Sequence, residues 1–442
     1  MVDLAYNYTR ISDVSTPPNF STFPLIPNVF ANASINNEGY VDYEGFVGSA
    51  TDHLPPSVIY SGNGSSPPTA LIDTGRYNFT DNTGTSYNSA VFFSSSSNNS
   101  GTTVFASSGY NLGTAEVDAG GPSAIINVNN GSINTTIYNI TLFVTVPINP
   151  NANINDPTNL LATGSFVTAP GINNQATISY ITGKSDGSST ISTISKGMTT
   201  TIADTSGNSQ FSGFFLGGLD VGRGEGPFSK YTLPAINDNG AVAFNANLKD
   251  GGKGIFVGDG NSIKTVVAEG TNGPFSYFSV PSLNDSGTVA FNAGFTTGGA
   301  AILKTNDGKL TTVADTSDGS IFKDFKSDVA LNQQGDVVFL ADLNDGSTAI
   351  YTTTSLGLEK VIAVGDPLDG STVTNLFVAH KGLNDGGQVA FDATLANGGL
   401  EVFRADPTAV PEPSAGVPFL GVVILCMVSY HWRRRKQHNT GF

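Results

Sequence analysis

Few residues in this chain have the type and spacing that chemistry needs. The four histidines are His53, His380, His431 and His438, and none falls in the spacing of a metal-ligand motif. The single cysteine, Cys426, lies in an apolar stretch, so neither an internal disulfide nor a cysteine zinc site can form. There is no nucleophile elbow, P-loop or DxDxDG calcium loop. "VGRGEG" from Val221 imitates a phosphate loop, but it lies in an inserted stretch and reads as a plain flexible loop. Asp238, Asp285 and Asp385 could offer oxygens to a calcium ion, yet each also stands where a turn calls for Asp or Asn. Phe211, Phe214 and Phe215 lie in a glycine-rich insertion. They could form an exposed ligand patch or tuck over one end of the fold. These residues predict no catalytic centre, no cofactor and no resident metal.

The elements that must position these residues are repeats. "INDNGAVAFNANL" from Ile236, "LNDSGTVAFNAGF" from Leu283, "LNQQGDVVFLADL" from Leu331 and "LNDGGQVAFDATL" from Leu383 are plainly related. Each has an asparagine (Asn237, Asn284, Asn332, Asn384), a glycine three residues on (Gly240, Gly287, Gly335, Gly387) and a phenylalanine seven residues on (Phe244, Phe291, Phe339, Phe391). Weaker copies give Asn36, Gly39 and Tyr43, then Asn173 and Tyr180 with Ala176 in the glycine's place. Two degenerate units are expected between these, near Ala90–Phe93 and Ile133–Val144.

Asn or Asp opens a turn, and glycine takes its left-handed position. V-A-F is continuously apolar, as a strand covered on both faces should be. Two further short apolar runs and a phenylalanine-bearing segment complete a unit of about 48 residues, which suits a four-stranded propeller blade. The expected fold is all-β, a propeller of about eight (seven to eight) four-stranded blades, with clear repeats over 172–404 and degenerate ones over 1–171. The last unit lacks its outer run, and "YTRISDVSTPPNFSTF" from Tyr8 aligns with "LTTVADTSDGSIFKDF" from Leu310. The N-terminal strand is therefore expected to close the ring by pairing Tyr8–Val14 beside Leu400–Ala405.

Composition agrees with many short strands and turns. Of 442 residues only 13% are charged, 52 are glycine and 39% are hydrophobic, enough apolar content for a packed core. Net charge is −16, and four of the 20 basic residues (Arg433, Arg434, Arg435, Lys436) stand together near the C-terminus. An acidic body argues against nucleic acid as a partner.

The C-terminus has its own organisation. A proline-rich linker over 406–414 holds Pro411, Glu412 and Pro413; an apolar run of 18 residues over 415–432 follows, then the basic cluster in 433–442. The run reads as a single transmembrane helix, with the basic tail on the cytoplasmic side and the repeat body of 1–405 outside. This order resembles the PEP-CTERM sorting signal of Gram-negative bacteria. The resemblance implies export, insertion in the inner membrane and processing by exosortase, with Pro411, Glu412 and Pro413 as the recognised element. Met1–Phe20 show no signal peptide, so an upstream start is expected.

The repeats resemble the choice-of-anchor tandem-repeat family named for its NxxGxxVAF motif. That resemblance implies a bacterial surface protein. The expected function is an exported, membrane-anchored or exosortase-processed surface or matrix protein without catalysis. Its partners would be the export machinery, exosortase and an exopolysaccharide. The alternatives are a carbohydrate-binding adhesin and a propeller glycosidase or lyase, whose site would draw residues from several blades.

Overall fold

Each V-A-F segment forms a strand buried on both faces, because apolar side chains alternate towards the two neighbouring sheets. Val242–Leu248, Val289–Phe295, Val337–Leu343 and Val389–Leu395 are such strands, and Phe244, Phe291, Phe339 and Phe391 are wholly buried. The computed structural model describes residues 5–12, 33–46, 57–73, 78–80, 86–110, 123–129, 132–139, 166–167, 170–183, 188–214, 234–306, 309–326, 329–398 and 400–408.

Among the described residues the strands form seven antiparallel sheets of four or five strands. They are numbered here as blades 1–7, spanning 34–73, 78–139, 166–204, 211–269, 275–315, 322–363 and 367–407. In blade 5 the order is representative. The inner strand is split into Phe275–Phe278 and Ser282–Leu283. Both halves pair with Val289–Phe295, which pairs with Ala300–Asn306, which pairs with Lys309–Asp315. The split falls at Ser279, whose hydroxyl accepts the Asn292 N–H at 2.9 Å and so satisfies the strand across the break.

The ring closes through the chain's beginning. Tyr6–Arg10 pairs antiparallel with Leu400–Pro407, with Tyr8 opposite Ala405 and Arg10 opposite Phe403. The Tyr8 hydroxyl donates to the Val361 carbonyl of blade 6 at 2.6 Å, and its ring meets Phe391 edge-on. The expected closure is thus observed over Tyr8–Arg10, while Val14 lies outside the described residues.

Of the seven to eight blades expected, with eight favoured, seven are found among the described residues. The two degenerate units fall in one sheet: Ala90–Phe93 on the strand Ser86–Ser97, and the start of Ile133–Val144 on the strand Ser132–Asn139. Their true common motif is Asn98, Gly101 and Phe105, three and seven residues apart like the other copies. Phe105 is fully buried. Residues 1–407 form one compact unit and 408–442 another. Among the described residues no helix is long and apolar enough to cross a membrane. The run 415–432 lies outside them, as do Pro411, Glu412, Pro413 and Arg433–Lys436.

Candidate functional site at the hub

The seven asparagine turns meet at one end of the wheel. In each turn the glycine N–H donates back to the asparagine carbonyl, as from Gly240 to Asn237 at 3.0 Å. The glycine position needs positive φ, +82° at Gly240, and Ala176 takes the same left-handed conformation at +57°. Asparagine Oδ1 accepts N–H groups of its own turn, as from Ala241 to Asn237 at 2.9 Å.

The other half of each amide joins the blades. Nδ2 of Asn36 donates to the Asn98 carbonyl at 3.5 Å, Asn98 to Asn173 at 3.1 Å, Asn173 to Asn237 at 2.8 Å and Asn237 to Asn284 at 3.0 Å. Asn284 donates to Asn332 at 3.2 Å, Asn332 to Asn384 at 3.4 Å, and Asn384 back to Asn36 at 2.9 Å. The circle is complete, with seven members, all buried.

A second circle lies on it. Each residue after the asparagine offers its backbone N–H to the side-chain oxygen of its counterpart in the next blade. The path runs Asn37, Asn99, Asn174, Asp238, Asp285, Gln333, Asp385 and back to Asn37, at 2.7–2.9 Å. Asparagine, glutamine and aspartate all supply the required oxygen, which is why this position varies and the preceding one does not.

The three aspartates are therefore turn and ring residues. Asp238 Oδ2 also accepts Asn174 Nδ2 at 2.9 Å, and Asp385 Oδ2 accepts Asn37 Nδ2 at 2.5 Å. Asp285 has its carboxyl pushed up, first by burial and then by the charges of Asp238 and Asp385. Among the described residues no three His, Cys, Asp or Glu side chains assemble into a metal cluster. His53, Phe215 and the Val221 loop lie outside the described residues.

Blade 7 breaks the pattern of its siblings. Its inner segment carries His380 and Lys381 where blade 5 has Val280 and Pro281. Lys381 is pulled down by burial, while Asp238 and Asp285 from blades 4 and 5 favour its charge. His380 is pushed down to about 3, first by burial and then by Lys381. Its Nδ1 stands 3.4 Å from Ser282 Oγ of blade 5, but that hydroxyl donates to the Val329 carbonyl of blade 6 at 2.6 Å. A hydroxyl engaged elsewhere and an imidazole so weakly basic are poorly set for nucleophile activation. Their geometry instead pins blade 7 across blade 6 to blade 5.

Of the two readings open for the insertion, exposed patch or packing over the fold, packing holds for Phe211 and Phe214. Phe211 and Phe214 are each 1% exposed. They pack edge-on against Phe244, their ring centroids both 5.6 Å away, and Phe211 meets Phe256 at 5.0 Å. Phe211–Gly213 pairs with the outer end of Val242–Leu248, which draws the rings into the blade core.

A family model spans this architecture, matching residues 15–417. The chain belongs to DUF7453, a family of unknown function. No curated protein matches this DUF7453 chain. Among solved structures it is similar to prolyl oligopeptidase B from Galerina marginata, at 12% identity and a TM-score of 0.49, covering 87% of this chain and 49% of that one. It is also similar to the polysaccharide lyase Uly1, at 10% and 0.43, covering 92% and 100%. A third is an alpha-L-arabinanase from Penicillium chrysogenum, at 10% and 0.42, covering 90% and 98%. Likeness this distant bears on neither activity nor ligand.

Proposed function

We propose that this DUF7453 chain is an exported bacterial protein whose propeller is displayed outside the cytoplasm as a non-catalytic scaffold. Its C-terminal segment serves as anchor and sorting signal. The observation that carries the display is the order of the tail: Pro411-Glu412-Pro413, an apolar run of 18 residues, then Arg433–Lys436. The acidic body fits a soluble outer surface. The scaffold role is supported by the hub, where the motif side chains bond one another.

Cell fractionation of a Gram-negative host that makes exosortase tests the proposal. The propeller should be open to protease from outside the inner membrane. Replacing Pro411, Glu412 and Pro413 by alanine should leave the unprocessed chain in that membrane. Intact chain in the cytosol of wild-type cells would rule the proposal out.

A glycosidase or lyase is the second reading, favoured by the convergence of Asp238, Asp285 and Asp385 at the hub. It expects polysaccharide cleavage that Asp285→Asn abolishes while the fold survives. An adhesin expects glycan binding without cleavage.

A further inference from the structure

Blade 1 carries two acids in its second strand, where blade 7 carries one, Asp392. Val41-Asp42-Tyr43-Glu44 stands where blade 4 has Val242-Ala243-Phe244-Asn245 and blade 5 has Val289-Ala290-Phe291-Asn292. Asn245 and Asn292 each donate Nδ2 to a carbonyl of the next blade, Phe278 at 3.3 Å and Phe325 at 3.4 Å. An ionised Glu44 has no proton to give there. Asp42 and Glu44 are nevertheless 2% and 5% exposed.

Among the described residues, the side chains that approach Asp42 are the hydroxyls of Ser61, Thr103 and Ser97. Ser34 lies directly opposite Asp42 in the sheet, hence on the same face, and its buried hydroxyl has no hydrogen-bond partner. Glu44 Oε1 also lacks one. From blade 2, the Thr103 hydroxyl donates to Asp42 Oδ2 at 2.5 Å. Ser97 approaches Asp42 without closing a bond of good geometry. Among the described residues no Lys or Arg forms an ion pair with either acid. Two buried carboxylates beside the unpartnered hydroxyls of Ser34 and Ser97 are costly unless a cation gathers them.

We propose that Asp42, Glu44 and Ser34 of blade 1, with Ser97 of blade 2, form a calcium site that clamps the two blades together. Two carboxylates balance the ion's charge. Oxygen donors alone suit a hard cation, and calcium tolerates irregular coordination that magnesium does not. Among the described residues no His or Cys joins the two acids in a cluster that would favour zinc or copper. The site is independent of how the chain is exported.

The full chain, stripped of metal by chelation, tests the proposal. Native mass spectrometry should show one calcium bound, and calcium at about 100 times its Kd should raise the melting midpoint by a few degrees. Magnesium and sodium at the same concentration should not. Glu44→Gln should fold, since an amide serves in blades 4 and 5, and should lose both responses. Ser34→Ala should weaken binding several-fold. Three results would each overturn the proposal. One is absence of calcium binding to the wild type, meaning that the acids are simply protonated. Another is an unchanged calcium response in Glu44→Gln. The last is a response abolished by Asp285→Asn, placing the ion at the hub.

Discussion

At the hub, asparagine differs from aspartate by one donating nitrogen. Oδ1 holds the turn and Nδ2 holds the next blade, so the two residues are not interchangeable in the inner circle, whereas either serves in the outer one. Asn284→Asp keeps shape and volume but loses the bond to the Asn332 carbonyl and buries a charge. It should cost about 1–3 kcal/mol in a urea or thermal melt. Asn261→Asp, in an exposed loop, should stay within about 0.5 kcal/mol.

His380 adds a pH dependence. Its folded pKa of about 3 lies below the ordinary 6.5, so between these values the unfolded chain binds the extra proton. Stability from this residue is therefore full above about pH 6.5 and is lost as pH falls towards 3. Melts at pH 4 and 7 should differ less in His380→Gln than in the wild type.

At the scale of the element, one blade is a sandwich of aromatic rings between two β-ladders. Phe244 is the motif residue, yet Phe211 and Phe214, which lie outside the motif, cover two of its sides. Phe211→Ala should cost about 3–5 kcal/mol, as a buried aromatic does, rather than leave stability unchanged, as an exposed ligand residue would. A chemical melt of the variant checks this. The turn and the V-A-F strand were legible because a left-handed glycine and a buried strand impose fixed letters. Asn98, Gly101 and Phe105 were equally legible but stand 62 and 75 residues from their neighbours, well off the period. Packing of Phe211 was one of two readings open in the sequence, but its place beside Val242–Leu248 was not legible, since periodicity alone does not say which sheet edge a glycine-rich segment will join.

For the whole molecule, stability depends on joining the two ends of the chain. Removing residues 1–12 would strip Leu400–Pro407 of its outer partner, together with the Tyr8 bond to Val361 and the Arg10 contacts to Asp369 and Glu401. The bared edge should pair with other chains, so the truncated protein should elute as dimers or larger species and melt at a lower temperature. Size-exclusion chromatography with a thermal melt decides it.

From the sequence alone come the all-β class, the turn chemistry, the buried strands and the closing N-terminal strand, because each follows from local backbone geometry or from a period along one chain. The tertiary structure alone decides that seven blades close the circle, that the asparagines form a continuous ring, and that Asp42 meets Thr103 and Ser97 of blade 2. Those facts depend on which turn meets which neighbour. Contacts between residues some 60 to 350 positions apart are set by curvature and packing, which no local pattern encodes.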